Sequence, residues 1–225
     1  MTNTALTSDA AARAWLTQTL APTAAQWAAL ERYAELLAAA NAAQNLVAAS
    51  TLPTLWVRHI ADSAQLLRFD QRGGDGLWLD LGSGPGLPGL IIAILTDRPV
   101  WLVESRALRC QFLAEAIAVL GLEGRATVQP MRLERLPSVA ATTISARAFA
   151  PLDRLLALSA RFSTDSTRWL LPKGRNAVKE LASLAKPWQC LFHVEQSLTD
   201  DASGILVGTG RVRTGAKAGG NRNSA

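Results

Sequence analysis

Cysteine is scarce in this sequence: Cys110 and Cys190 are the only two in 225 residues, and no CxxC pair exists. A disulfide framework and a thiolate zinc site are thereby excluded, and no metal is expected. Long apolar runs are missing too. The run at 90–95, beside a cluster of glycines, falls far short of the roughly 20 residues that span a bilayer. The opening Met1-Thr2-Asn3-Thr4 has no cationic start followed by an apolar stretch, so no secretory signal is expected. No internal repeat is evident. These absences leave a cytoplasmic protein, expected to be monomeric and away from membranes. With 49% apolar residues it has material for one sizeable core.

The net charge of +5 is uneven. Residues 1–70 hold four basic side chains, Arg13, Arg32, Arg58 and Arg68, against five acidic ones, a balance of −1, so the remainder carries +6. Four of those cations, Arg211, Arg213, Lys217 and Arg222, lie in a glycine-rich stretch without acids. Such a balance permits a polyanion partner without demonstrating one, since many ordinary enzymes are mildly basic.

Organisation changes near residue 71. Residues 8–68 read as an N-terminal helical extension (1–70): a helix opened by Ser8 or Asp9 and running to 20, an Ala-rich one from 22 or 23 to about 40, a polar break at 41–50, and a third from 51. In the second, Trp27, Leu30, Tyr33, Ala34 and Leu37 recur at helical spacing. Gln71 to Gly76 is a glycine-rich linker. Beyond it, apolar runs at 77–81, 100–103, 126–129, 142–146, 167–171, 189–195 and 204–209 alternate with helical stretches at 88–95, 107–120, 151–161 and 176–185. That alternation predicts an α/β, doubly wound Rossmann-like sheet over 71–213, mostly parallel, with the last two strands forming an antiparallel edge. The basic tail 214–225 is expected to be disordered.

The most informative stretch is Asp80-Leu81-Gly82-Ser83-Gly84-Pro85-Gly86-Leu87-Pro88-Gly89, between a strand and a helix. Glycines at the carboxyl end of a strand let a ligand approach the backbone, and free N–H groups of the next helix can receive an anion. Residues 84–89 spell GxGxxG, so a dinucleotide stays open. Against it stands Asp80, whose carboxylate would face a diphosphate but would welcome the ammonium and sulfonium of S-adenosylmethionine. Glu104, ending the next strand, is placed to accept from ribose hydroxyls of either cofactor.

In these residues the sequence resembles the ribosomal RNA small-subunit methyltransferase G family, also called glucose-inhibited division protein B. Further markers are Asn45-Leu46, Arg58-His59-Ile60-Ala61-Asp62-Ser63, Arg132-Leu133-Glu134, Arg147-Ala148-Phe149-Ala150 and Lys173-Gly174. The resemblance implies an S-adenosylmethionine-dependent enzyme that methylates N7 of a guanine in 16S ribosomal RNA or the small subunit. It implies cofactor contacts from Gly82 and Leu87 in the loop, beside Asp80, Gly84 and Gly86, which the chemistry of the loop itself offers for the cofactor. Glu104 would hold the ribose, Leu133 and Glu134 would sit by the adenine, and Arg147 would lie at the reactive end. Arg58, Arg147 and Lys173 are expected to bind RNA. The sequence departs from the family at Ala107-Leu108-Arg109, where Gly-Lys-Arg is frequent.

Chemistry agrees with that implication. N7 of guanine has a lone pair at neutral pH, so its methylation needs placement rather than a general base. No catalytic acid or base is expected, and the chain has neither an Asn-Pro-Pro-Tyr segment nor a Pro-Cys nucleophile. His59 reads as a hydrogen-bonded structural residue, and Trp56, Trp78 and Trp101 as core. Two further readings remain: a small-molecule methyltransferase with a helical lid, and a non-catalytic ribosome-assembly factor that binds RNA.

Overall fold

A computed structural model describes residues 5–70 and 75–214. Most of the 71–76 linker and nearly all of the 214–225 tail therefore lie outside the described residues. The centre is a seven-stranded sheet in the order β3-β2-β1-β4-β5-β7-β6. Its strands are β1 (Trp78–Leu81), β2 (Val100–Glu104), β3 (Ala126–Pro130), β4 (Thr143–Ala146), β5 (Arg168–Lys173), β6 (Phe192–Gln196) and β7 (Gly204–Thr209). The first five are parallel, and the expected antiparallel pair stands at the β6 edge. The reversed strand is β7, which inserts between β5 and β6 and pairs antiparallel with both. Strand order turns back between β1 and β4, so the carboxyl ends of β1, β2, β4 and β5 open onto the crevice where such sheets bind ligands.

Strands β1 and β4 are buried at every position because helices cover both faces. On one face lie α4 (Gly89–Leu95) and α5 (Ala107–Val119), with α2 (Ala24–Gln44) packed over both and α1 (Asp9–Thr19) packed on the segment Trp56–Ala61. Leu30, Leu37 and Ile60 share one continuous core with Ile91, Leu113 and Trp78. On the other face α6 (Leu152–Ser159), α7 (Ala177–Ser183) and α8 (Lys186–Gln189) cover Leu79, Leu81, Ile144 and Leu171.

Three boundaries differ from the pattern-based expectation. Helix α2 continues to Gln44, because Asn41 does not break it: Asn41 is buried and its Oδ1 accepts from the Val47 N–H, while Asn45 closes the helix in the left-handed region. The third N-terminal helix is composite, with a 3₁₀ turn (Ala49–Thr54), a π-helical stretch (Trp56–Ala61), α3 (Asp62–Ala64) and a second 3₁₀ turn (Gln65–Phe69). The strand expected from 189 begins only at Phe192, because Gln189 closes α8 (Lys186–Gln189). Pro187 fits the first turn of a helix, and the Gln189 amide donates to the carbonyls of Ala182 and Leu184 at the end of α7.

Where the helical segment meets the sheet, Arg98 and Asp70 form a buried pair, with side chains 7% and 6% exposed. Arg98 also donates to Thr142, Thr143 and the Gly76 carbonyl, and Asp70 accepts from Thr143. Removing one partner strands the other charge in low dielectric, so Arg98→Ala is expected to lower stability by about 3–5 kcal/mol, read from the urea midpoint at unchanged slope.

Candidate functional site

The site begins with the turn after β1. The amides of Gly82 and Ser83 both donate to the Val103 carbonyl, which ties the turn to β2. The buried Tyr33 hydroxyl, on α2, donates to the Pro85 carbonyl at 2.9 Å and holds the loop from outside. Gly82 has φ +68°, and a Cβ there would stand 2.4 Å from the Phe149 ring, so only glycine fits. Gly89 opens α4 so close to the sheet that a Cβ would collide with Leu102 at 2.2 Å.

That close approach explains where Asp80 goes. Side chains alternate along a strand, so Asp80 shares the face of Trp78, beneath α4, while Leu79 and Leu81 face the opposite layer. Its carboxylate is completely buried: Oδ1 accepts from the Ser145 hydroxyl at 2.7 Å and Oδ2 from the Gly89 N–H at 3.2 Å. The Trp78 indole in turn donates to Ser145. Burial pushes the Asp80 carboxyl up to about 6, against the opposing hydrogen bonds and Arg147. Two expectations are corrected. Asp80 does not face the crevice to meet a cationic ligand, and the leading N–H of α4 is taken by the chain's own carboxylate rather than left for an anion. Gly84, Gly86 and Leu87 shape the turn and are absent from the linings of the two cavities at the strand ends; Leu87 is core, and Gly86 packs against Leu90.

Two cavities open at the carboxyl ends of the strands. One, of about 420 Å³, is lined by Gly82, Glu104, Met131, Leu133, Glu134 and Phe149 among others. It gathers four of the expected cofactor residues. Glu104 Oε1 accepts from the Ser105 and Arg106 amides, and Oε2 accepts from Gly84 N–H at 3.1 Å. A carboxylate has about four acceptor positions, so one position on Oε2 is left for a ligand hydroxyl. Arg109 stands 3.7 Å away and balances the charge.

The second cavity, of about 690 Å³, includes Arg58, His59, Asp62, Arg147, Lys173 and Asp200 in its lining. All three expected RNA-binding cations meet here, each paired with an acid: Arg58 with Asp200 (3.5 Å), Arg147 with Asp62 (3.5 Å) and Lys173 with Glu180 (2.9 Å). Arg147 therefore belongs to this cavity and not to the first. His59 is also here, its imidazole pushed down to about 4 by burial and by Arg147 and Arg58, so it is neutral at physiological pH. Residues 148–151 line both cavities and form the wall between them. Among the described residues no cluster of metal ligands occurs, and no helix is long and apolar enough to cross a membrane.

A small cavity with a backbone-held acid therefore lies beside a larger one lined by paired cations and acids. The family model for rRNA small subunit methyltransferase G, GidB, matches residues 26–203. The chain belongs to this family. Family proteins named ribosomal RNA small subunit methyltransferase G include one from Sphingopyxis alaskensis, 65% identical over 92% of this chain and 88% of its own length. Another, from Novosphingobium aromaticivorans, is 54% identical over 90% and 89%. Solved structures share the fold at low identity. A Klebsiella pneumoniae protein named as an O-methyltransferase aligns with TM-score 0.57 at 17% identity, over 87% of this chain and 94% of its own. The [4+2]-cyclase SpnF aligns with TM-score 0.53 at 14% identity, over 69% and 82%. Family membership, rather than fold, therefore carries the functional assignment.

The buried carboxylate makes a pH prediction. A carboxyl raised in the folded state stabilises the fold fully below its unfolded value near 4, and that contribution is lost as pH rises through about 6. Wild-type stability is expected to carry a falling component between pH 4 and 6 that Asp80→Asn lacks, measured by denaturant titration across that range.

Proposed function

We propose that this protein transfers a methyl group from S-adenosylmethionine to N7 of a guanine in 16S ribosomal RNA, acting as a cytoplasmic monomer on RNA or the small ribosomal subunit. The observation that carries the reading is the pairing of a backbone-held acid, Glu104, in a nucleoside-sized cavity with a larger cavity lined by Arg58, Arg147 and Lys173 and by four acids across one thin wall, in a chain of this family. The residues present suit that cofactor. Glu104 offers a ribose acceptor, Met131 and Leu133 give apolar walls for an adenine, and Glu134 stands at the rim to accept from its amino group. Gly82 lets the Phe149 ring of the dividing wall pack directly on the turn.

When bound, the cofactor supplies an electrophilic methyl on a sulfonium that is already a good leaving group. The protein's own residues then have positional work to do. The guanine enters the second cavity, where Arg147 donates toward O6 or a flanking phosphate, and Arg58 and Lys173 exchange their carboxylate partners for phosphate oxygens. N7 has no proton to lose, so the neutral His59 is not needed as a base. Phe149 and its neighbours close the wall around the reacting atoms and exclude water.

Incubation with methyl-labelled cofactor, undermodified small subunits and bare 16S RNA tests the reading, with label expected on guanine N7 by mass mapping. Label on a low-molecular-weight acceptor, or no label at all, would overturn it. RNA affinity should fall steeply with salt, as counterion release requires, whereas a small-molecule acceptor would be indifferent. Glu104→Ala removes a charged acceptor and is expected to weaken cofactor affinity about 10- to 100-fold by calorimetry.

A further inference from the structure

His59 is not solely a packing residue. Its ring spans the N-terminal 3₁₀ turn and the acceptor cavity, and the hydrogen-bond directions fix its tautomer. The Thr51 hydroxyl lies 2.6 Å from the Ala48 carbonyl, which can only accept, so Thr51 donates there. The same oxygen lies 2.7 Å from His59 Nε2 and, having given its proton to Ala48, must accept from an Nε2–H. Nδ1 is then an unprotonated lone pair. It faces Arg147 Nη1 at 3.4 Å, and a guanidinium can only donate. Asp62, on the next helical turn, approaches the same Nη1 at 3.5 Å and is itself fixed by the Thr199 hydroxyl at 2.6 Å and the Gln65 amide at 2.9 Å.

We infer that His59 is a positioning residue for methyl transfer: its Nδ1 lone pair, with the carboxylate of Asp62, holds the Arg147 guanidinium at the acceptor. Anchoring one Nη leaves the other guanidinium donors for the incoming nucleotide. Two acceptors on a single nitrogen restrict a side chain that otherwise has large rotamer freedom, so less ordering remains when the acceptor arrives. A neutral ring serves better than a charged one, because an imidazolium would repel Arg147 and offer it no lone pair. The depressed basicity of His59 is consistent with that arrangement. The inference rests on the proposed acceptor role of Arg147.

Paired substitutions separate this role from simple anchoring of the turn. Asparagine can place an amide oxygen near the Nδ1 position and keep the acceptor for Arg147, while losing Thr51. Glutamine can place an amide nitrogen near Nε2 and keep the Thr51 bond, while losing Arg147. His59→Gln is expected to raise the KM for the RNA substrate about tenfold, the loss of one charge-assisted hydrogen bond, with His59→Asn within about twofold of wild type and cofactor affinity unchanged in both. The reverse order, or two variants with wild-type KM, overturns the inference. Should both variants fold poorly, ¹⁵N NMR of the wild-type imidazole decides: a protonated Nε2 and bare Nδ1 sustain it, and an Nδ1–H overturns it. Arg147→Ala is measured beside them. If it leaves methyl transfer intact, the acceptor role of Arg147 fails and this inference with it. If it impairs transfer while the order of the His59 variants is reversed, only the inference falls.

Discussion

The crevice is organised around a carboxylate that no ligand can reach. Asp80 is completely buried at the point where strand order reverses, and it joins three elements there: β1, which carries it; β4, through Ser145; and α4, through the amide of Gly89. A charge in such surroundings is tolerated only with hydrogen-bond donors around it. Those donors require α4 to begin almost on top of the sheet, which a side chain at residue 89 would forbid. The glycine turn is then pressed between a buried anion below and Tyr33 above, and Gly82 is delivered to the crevice. The shape of the smaller cavity thus descends from an interaction outside it.

The N-terminal helices are part of the same construction. Tyr33 on α2 fixes the loop, and the composite segment from Trp56 to Ala64 supplies Arg58, His59 and Asp62 to the second cavity. Their hydrophobic residues belong to the core that also holds α4 and α5. Gln65, fully buried, joins this segment to the β6–β7 connection through Ser197, Leu198 and Thr199. The larger cavity therefore requires three distant parts of the chain to be folded together: the helical segment, the ends of β4 and β5, and the hairpin at the sheet edge.

Much of this was legible in the sequence. Strands β1, β2 and β4 are short apolar runs because both faces are covered, and the glycine turn announced itself by composition. Glu104, Leu133 and Glu134, singled out in the sequence, line one cavity, and Arg58, Arg147 and Lys173 line the other. What could not be read depends on direction or on tertiary partners. Whether Asp80 points up or down is set by its register against Trp78. The insertion of β7 between β5 and β6 leaves no trace in the order of apolar runs. The π-helical stretch at Trp56–Ala61 has the same apolar spacing as an ordinary helix. The acids that pair with the three cations lie up to 142 positions away in the chain for Arg58 and Asp200, beyond any local pattern.

Those pairings bear on how a polyanion would be admitted. Three cations in one cavity repel one another, and carboxylates beside each relieve that repulsion while no substrate is present. The Arg58–Asp200 pair has side chains 43% and 30% exposed and a separation of 3.5 Å. Pairs of that kind contribute about 0–1 kcal/mol, so a phosphate oxygen can displace the carboxylate at small cost. Lys173, only 10% exposed and 2.9 Å from Glu180, is held more firmly. A cavity balanced in this way offers little to an arbitrary polyanion that cannot enter it, since its charge is largely answered from within. On the proposed function, a gain would come only to a nucleic-acid segment shaped to reach in and replace these carboxylates, so selectivity would follow from shape acting through electrostatics rather than from net positive charge.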